Sequence, residues 1–191
     1  MRTNLLIVDN FYRDPNTIRD IALSSNFQVK GNYPGRRTRS YASDDVKQVI
    51  QTLLLPHAGK ITWWSTEGYN GAFQYTTAKD RSWIHADNGT TWAGLVYLTP
   101  DAPLSSGTGL YKHKETGATE WDPNCGIEYN DYKPNRETQD YTKWELVDRI
   151  GNKYNRLVLY RGNQYHVSLD YFGNNKEDGR LFQTFFFNTE Y

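Results

Sequence analysis

The sequence has very little sulfur, because its 191 residues include one cysteine and one methionine. The single cysteine, Cys125, excludes a disulfide bond within the chain, so the sequence is compatible with a reducing compartment. Long apolar runs are also absent. No run approaches the roughly 18 residues that a membrane-spanning helix needs, and Leu5–Val8, which Asp9 interrupts, is too short for a signal peptide. We therefore expect a soluble, cytoplasmic protein.

An excess of charge of either sign is lacking as well, since 22 lysines and arginines balance 22 aspartates and glutamates. The composition thus gives no indication of a membrane or a nucleic acid as partner, although local patches are compatible with either. Aromatic residues, in contrast, make up 15% of the chain, with fifteen tyrosines and six tryptophans. This composition favours β-strands, and the length fits one domain covering residues 1–191.

Residues 1–60 predict one strand followed by two helices. Leu5–Val8 is a short apolar run that predicts the strand. Asp14-Pro15 predicts a helix that ends near Ser25, because Asp is a preferred N-cap and Pro is tolerated at the first helical position. A second helix is expected over residues 44–56. We expect these elements to pack on the outside of the core.

From Ile61 onward, the pattern changes to short β-branched or aromatic runs that Gly, Asn, Asp and Pro separate. Strands are predicted at 62–65, 71–76, 82–86, 92–98, 109–114, 155–160, 164–169 and 180–188. This number suits a double-stranded β-helix, the jelly-roll barrel of the cupin type, so the predicted fold is mainly β with flanking helices. Residues 115–154 are expected to form an insertion in the 61–191 core, with a polar loop at 115–140 and a helix at 141–154.

His85, Ala86 and Asp87 stand together in one of these predicted strands. Side chains alternate between the two faces of a strand, so His85 and Asp87 are expected on the same face. His166, from a later strand, would complete a set of two imidazoles and one carboxylate. That set holds non-haem Fe(II) on one side and leaves the other positions open. The alternative is that both histidines are structural and that Asp87-Asn88-Gly89 forms a turn.

Arg180 begins the last predicted strand, where alternation places it on the same face as Phe182, Thr184 and Phe186. Its planar guanidinium can bind a carboxylate through two parallel hydrogen bonds. A buried Arg needs such a partner, because an unpaired buried charge is very costly. The alternative is an ordinary salt bridge to an Asp or Glu of the chain.

In this order, H-x-D at His85 to Asp87, then His166 and then Arg180, the chain resembles the Fe(II)/2-oxoglutarate-dependent oxygenases. The resemblance covers about residues 73–188. Within the superfamily, the chain is most similar to the prolyl-4-hydroxylase-like branch and to small oxygenases of tailed phages and marine microbes. The opening segment 5–15 resembles the same group. A phage-encoded protein of this kind would work in the host cytoplasm.

The resemblance implies an enzyme that hydroxylates an organic substrate, such as a prolyl or other amino-acid side chain, with release of succinate and CO2. His85, Asp87 and His166 would bind Fe(II). The small molecule 2-oxoglutarate would be the co-substrate, O2 the oxidant, and ascorbate a supporting reductant. Arg180 would pair with the far carboxylate of 2-oxoglutarate.

Two further side chains are implied as contacts of the far carboxylate. Tyr75 lies on the strand before His85, where relatives often carry such a tyrosine, and its hydroxyl tip suits the role. Many relatives also carry Ser or Thr two residues after the arginine. This chain has Phe182 at that position, so Thr184 is the nearest hydroxyl on the same face.

The substrate pocket is open to several interpretations. Candidates to line it are the basic segment 36–39, the pair Trp63-Trp64, and Trp121 in the polar loop. The alternatives are a solvated loop for the arginines and alternate burial on two faces of a strand for Trp63 and Trp64. Of the two remaining histidines, His57 is expected on the surface, and His113 is expected to be exposed on a strand rather than to line a cavity.

Two other classes of function are compatible with a jelly roll. One is a non-catalytic module that binds a sugar or a peptide, and the other is a virion structural protein. Both would leave the two histidines, the carboxylate and Arg180 without a role.

Overall fold

The computed structural model describes residues 2–127 and 134–190. Within these ranges the chain is mainly β, with ten strands and three α-helices. The strands are β1 (Leu5–Val8), β2 (Arg36–Arg37), β3 (Lys60–Trp64), β4 (Phe73–Thr76), β5 (Trp92–Tyr97), β6 (Thr108–His113), β7 (Trp144–Ile150), β8 (Leu157–Arg161), β9 (His166–Ser168) and β10 (Arg180–Glu190). The helices are α1 (Pro15–Ser24), α2 (Asp44–Ala58) and α3 (Arg136–Gln139), and short 3-10 turns occupy Leu104–Ser106 and Tyr141–Lys143. None of the helices in the described ranges is both long and apolar enough to cross a membrane.

The strands pair antiparallel and form two sheets. The larger sheet has the order β1-β8-β5-β10-β4-β2, and β3 also pairs with β10. The smaller sheet has the order β7-β6-β9. Strand β10 is central because β5 pairs along one edge while β4 and β3 share the other. Strand β1 pairs with β8 and thus extends the larger sheet.

Both N-terminal helices begin at a side chain that caps them, and the first cap is the predicted Asp14. Asp14 caps α1, since its carboxylate accepts a hydrogen bond from the backbone N–H of Thr17 at 3.2 Å, and Pro15 occupies the first turn. Ser43 caps α2 in the same way through the backbone N–H of Val46 at 3.3 Å. An oxygen at this position satisfies a backbone donor that the helix itself leaves free.

The end of α2 differs slightly from the predicted one. Pro56 lies inside the last turn, and the helix continues to Ala58. Gly59, with a φ of 78°, then ends it, and its N–H bonds the carbonyl of Leu55 at 3.3 Å. Glycine adopts this left-handed backbone without a steric penalty, which makes it a common helix end.

The helices α1 and α2 pack against one face of the larger sheet. Ala22 of α1 and Ile50 and Leu54 of α2 are completely buried in one cluster with Leu159 and Phe185 of the sheet. Burying a large aliphatic or aromatic side chain contributes about 1.5–3 kcal/mol, so this layer anchors the sheet. The opposite face of the sheet is therefore left to form the functional cavity.

Residues 141–154 do not form the predicted helix. Trp144 and Ile150 are the buried ends of strand β7, and the residues between them are exposed. Strand β7 pairs with β6, and Lys112 of β6 forms an ion pair with Glu145 at 2.6 Å. The helix prediction is therefore wrong. A local apolar period cannot show that a segment will pair with a strand on the far side of a long loop.

Two other segments differ from their predictions. Residues 82–86, expected as a strand, contain only an isolated bridge between His85 and His166. The loop predicted at 115–140 contains α3, which Asn135 and Thr138 stabilise by reciprocal cap hydrogen bonds. Residues 128–133 of that loop lie outside the described ranges.

Candidate metal centre

His85 and His166 are held together by their backbones. The N–H of His85 donates to the carbonyl of His166 at 3.0 Å, and the N–H of His166 donates to the carbonyl of His85 at 2.8 Å. This bridge lies at the start of β9 and carries the two rings to one side, with centroids 4.3 Å apart. A short bridge thus performs the positioning that a full strand was expected to provide.

The tautomer of both imidazoles follows from their backbone contacts. Nδ1 of His85 lies 2.8 Å from the carbonyl oxygen of Trp83, and Nδ1 of His166 lies 2.8 Å from that of Gln164. A carbonyl only accepts, so each Nδ1 carries the proton and each Nε2 keeps a free lone pair. Such a contact orients a metal-ligating histidine and raises its basicity.

Asp87 completes the group. Its Oδ2 lies 3.3 Å from Nε2 of His166, and one ligand atom from each of the three residues lies within 4.8 Å of the others. The Asp87 N–H donates to the carbonyl of Gly162 at 2.6 Å. A Cβ at Gly162 would lie 2.2 Å from the carbonyl oxygen of Thr90, so only glycine permits this close approach.

The protonation states in the group suit a metal. Burial, together with the positive charge that a protonated His166 would carry, lowers the pKa of His85 to about 4. Burial acts to raise the pKa of Asp87, but the hydrogen bond that a protonated His166 would donate from Nε2, together with the positive charge of Arg37, outweighs it and lowers that pKa. Metal ligands must be deprotonated, and a neutral imidazole beside a carboxylate meets this condition near neutral pH.

The donor set fits Fe(II). Two imidazole nitrogens and one carboxylate, converging from one side, form the facial arrangement that non-haem iron enzymes use. The three residues line a cavity of about 870 Å³, which leaves space for further ligands and a substrate on the open side. Thr184, predicted as a co-substrate contact, also lines this cavity.

Arg180 is completely buried. It lies two residues before Phe182, which is on the same face of β10 and lines the cavity. Its Nε donates to the carbonyl of Ser106 at 3.0 Å and its Nη2 to that of Gly107 at 3.3 Å. Nη1 has no hydrogen-bond partner among the described residues. None of the ion pairs in the described ranges involves Arg180, so the alternative of an ordinary salt bridge finds no support there.

Two hydroxyls that sequence reasoning missed share this environment. Thr76 lies opposite Arg180 in the β4–β10 register, and its Oγ1 is buried without a partner among the described residues. The Tyr171 hydroxyl is also buried. It makes no close hydrogen bond within the same ranges, and the side chains of Ser82 and Ser168 and the charge of Arg180 act on it. A Thr in a strand and one Tyr among many carry no signal that could have identified them.

The other two predicted co-substrate contacts lie apart from the guanidinium of Arg180. Tyr75 packs edge-on against Phe27 at 5.0 Å and belongs to the core layer on the helix side of the sheet. The Thr184 hydroxyl donates to the backbone carbonyls of Tyr69 and Ala72 at 2.7 and 3.2 Å. The structure therefore brings neither hydroxyl together with the free Nη1 of Arg180.

His113 is not exposed on its strand as predicted. It is 3% exposed, and its Nε2 lies 2.8 Å from Oε1 of Glu137. Its ring packs edge-on against Trp144 at 4.9 Å. This contact joins β6 to α3 and explains the burial, since Glu137 satisfies the ring nitrogen. His57 is exposed, as predicted.

The candidate pocket residues divide into exposed and buried ones. Trp63 is exposed and lines the cavity, while Trp64 stacks on Phe185, as alternate burial predicts. Arg36 is exposed, but Arg37 is buried and lines the cavity, so a solvated loop is the wrong description of Arg37. Trp121 packs against the cluster of buried residues below the smaller sheet.

Solved structures with a similar fold define the class. HygX from Streptomyces hygroscopicus with nickel and 2-oxoglutarate bound has a TM-score of 0.59 and 11% identity, covering 95% of this chain and 81% of HygX. HygX with hygromycin B also bound has a TM-score of 0.60 and 12% identity over the same shares. The non-heme alpha ketoglutarate dependent epimerase SnoN from nogalamycin biosynthesis has a TM-score of 0.51 and 15% identity, covering 96% of this chain and 77% of SnoN. The chain therefore has the fold of non-haem 2-oxoglutarate-dependent enzymes.

A match to a sequence family gives a narrower classification than the shared fold. Residues 1–187 match the family of unknown function DUF6445, and the chain belongs to this family. No curated protein sequence matches the chain.

Proposed function

We propose that the protein is an Fe(II)- and 2-oxoglutarate-dependent oxygenase. The observation that carries the proposal is the convergence of His85, Asp87 and His166 within 4.8 Å, with both Nε2 atoms free to bind a metal. The shared fold with structures that contain nickel and 2-oxoglutarate supports it. A purely structural role for the two histidines would not require both Nε2 lone pairs to converge beside one carboxylate, an arrangement that a bound cation stabilises.

His85, Asp87 and His166 would hold the iron from one side. Bound iron, with 2-oxoglutarate and O2 as reactants, would supply the oxidation of an organic substrate with release of succinate and CO2, and ascorbate would serve as reductant. The apolar side chains of Leu95 and Phe186 in the cavity wall would limit access of water to the reacting groups.

Arg180 would bind the far carboxylate of 2-oxoglutarate. The guanidinium is a fully buried cation whose Nη1 has no partner among the described residues, which is the condition that a carboxylate would relieve. The unpartnered hydroxyls of Thr76 and Tyr171 would donate to the same carboxylate. Because Nε and Nη2 already bond the carbonyls of Ser106 and Gly107, Arg180 would contact the carboxylate through Nη1 rather than through its whole fork.

The substrate would be an organic molecule with an amino-acid side chain, such as a prolyl group, oxidised at carbon. The cavity of about 870 Å³ is much larger than a five-carbon diacid requires, so it leaves room for such a molecule beside the co-substrate.

The test is conversion of 2-oxoglutarate to succinate by the iron-loaded protein under air, with free amino acids, prolyl peptides and other peptides as candidate substrates. Succinate release that requires iron, that rises with one candidate, and that accompanies a product heavier by one oxygen atom would support the proposal. Absence of iron binding and of succinate would reject it in favour of a non-catalytic binding protein.

A further inference from the structure

Arg37 is a second buried arginine and, unlike Arg180, it lines the cavity itself. It lies on β2, the outer strand of the larger sheet, where it pairs with Gln74 of β4. The residue is 6% exposed, yet it lines the cavity that contains the metal centre. Gln74 in turn pairs with Phe182 of β10, and Arg180 pairs with Thr76 of β4. The two arginines therefore lie in neighbouring rows of one sheet, and Arg37 is the one that lines the cavity.

The guanidinium of Arg37 is held rigidly. It lies between two tyrosine rings, with its central carbon 3.8 Å from the centroid of Tyr33 and 4.5 Å from that of Tyr69. Nε donates to Oε1 of Gln74 at 2.9 Å, and Nη2 donates to the same oxygen. The rings fix the plane of the guanidinium, and Gln74 fixes its rotation within that plane.

None of these contacts neutralises the charge. Gln74 is a neutral amide, and a tyrosine ring attracts a cation only weakly. None of the ion pairs in the described ranges includes Arg37. The carboxylate of Asp87 attracts Arg37 from a distance, but it belongs to the metal group.

The surroundings of Arg37 are typical of a preorganised anion-binding site rather than of a residue that stabilises the fold. A buried cation without a counter-ion destabilises a protein, and such groups persist mainly where function requires them. The side-chain oxygen of Gln74 accepts hydrogen bonds from the edge of the guanidinium that Nε and Nη2 form. Among the described residues, Gln74 is the partner of the Arg37 guanidinium, and the edge formed by Nη1 and Nη2 makes no other hydrogen bond there. A planar carboxylate fits that edge through two parallel hydrogen bonds.

We infer that Arg37 binds a carboxylate of the primary substrate, and that this substrate is a small organic acid or a free amino acid. This inference rests on the proposed function and adds to that function the chemical class of its substrate. One anion site would then hold the co-substrate at Arg180, and another would hold the substrate at Arg37 in the cavity that the metal group lines. An internal residue of a peptide has no free carboxylate and would not use Arg37.

The test compares acids with their amides. The wild-type protein and the variants Arg37→Met and Arg37→Lys are titrated calorimetrically with the common L-amino acids, acetate and benzoate, and with the primary amide of each. Arg36→Gln is the matched control, because Arg36 is the exposed neighbour on the same strand. One series contains Mn(II) and 2-oxoglutarate without oxygen, and a second contains neither.

We expect at least one acid to bind the wild-type and Arg36→Gln proteins at least about tenfold more tightly than its amide does. Arg37→Met should lose this preference, and Arg37→Lys should recover part of it. Melting of the free Arg37→Met protein at or above the wild-type temperature would show that the variant folds and that Arg37 is not needed for stability.

Three results would overturn the inference. Wild-type protein that distinguishes no acid from its amide has no carboxylate site. Equal acid preference in wild type and Arg37→Met places the site elsewhere. A fall in 2-oxoglutarate affinity that matches the loss of acid binding assigns Arg37 to the co-substrate. Failure of the oxygenase proposal itself would appear separately, as absence of Mn(II) and 2-oxoglutarate binding, while the series without them still reports on Arg37.

Discussion

His85 and His166 exchange both of their backbone hydrogen bonds, at 3.0 and 2.8 Å, although the two residues lie far apart in the chain. Their rings lie on the same side of this bridge, and each ring is anchored through Nδ1 to a carbonyl two residues earlier. The two Nε2 atoms are thus oriented by the backbone, before any metal binds. Preorganisation of this kind favours binding because little freedom is left to lose.

Replacing His166 with Ala should remove stoichiometric metal binding while the β fold stays intact. The reason is that two of three ligands remain, and affinity should fall by more than about tenfold. Calorimetric titration with Mn(II), together with far-ultraviolet circular dichroism, measures both effects. His57→Ala is the matched control, since His57 is exposed. Equal Mn(II) affinity in both variants would contradict the assignment of His166.

Arg180→Lys should weaken 2-oxoglutarate binding by about 1.5–3 kcal/mol, the usual range for a hydrogen bond to a charged group. Lysine keeps the charge but cannot bond the carbonyls of Ser106 and Gly107 and a ligand in the same geometry. Calorimetry with Mn(II)-loaded protein gives the affinity. Arg149→Lys, at an exposed ion pair with Asp170, should leave it unchanged. An unaffected Arg180→Lys protein would show that Arg180 does not hold the co-substrate.

Tyr171→Phe should lower the affinity for 2-oxoglutarate by about 0.5–1.5 kcal/mol, the net value of one hydrogen bond. The free energy of unfolding without ligand should change little, because the removed hydroxyl is buried, makes no close hydrogen bond in the described structure and interacts with Ser82 and Ser168 only at longer range. Calorimetry and urea denaturation measure the two quantities. Tyr154→Phe is the control, since that hydroxyl bonds Asn16 at the surface. A variant that loses stability and keeps full affinity would give Tyr171 a structural role instead.

Asp9→Asn should reduce stability near neutral pH by up to about 1 kcal/mol, as for partly exposed ion pairs. Asp9 bonds Arg156 at 2.6 Å and Lys153 at 2.8 Å, and these hydrogen bonds hold the pKa of its carboxyl well below the ordinary value of 3.8. A carboxyl with a lowered pKa stabilises the fold above its ordinary pKa, and this contribution is lost as the pH falls further. The difference between wild type and variant in urea denaturation should therefore shrink below pH 3.8. A difference that is constant with pH would show that the charge of Asp9 is not its cause.

The sequence by itself determined the features that depend on neighbouring residues. Asp14 with Pro15 located the first helix, because capping is a matter of a few adjacent residues. Alternation along β10 placed Arg180 on the face of Phe182 and Thr184, which line the cavity. The pattern of His85 and Asp87 indicated a shared site, and both residues line that cavity as well.

Only the tertiary structure decided the features that depend on distant partners. Residues 144–150 form a strand because they pair with β6, although the spacing of their apolar residues favours a helix. His113 is buried because Glu137 satisfies its ring, and Arg37 is buried because Tyr33 and Tyr69 enclose its guanidinium. Hydrogen bonds, burial and charge pairing are formed in three dimensions between segments that are far apart in the chain. No local pattern encodes which side chain a distant segment will bring. The sequence therefore indicated the basic segment 36–39 as a pocket candidate, but only the folded protein showed that Arg37 is its buried member.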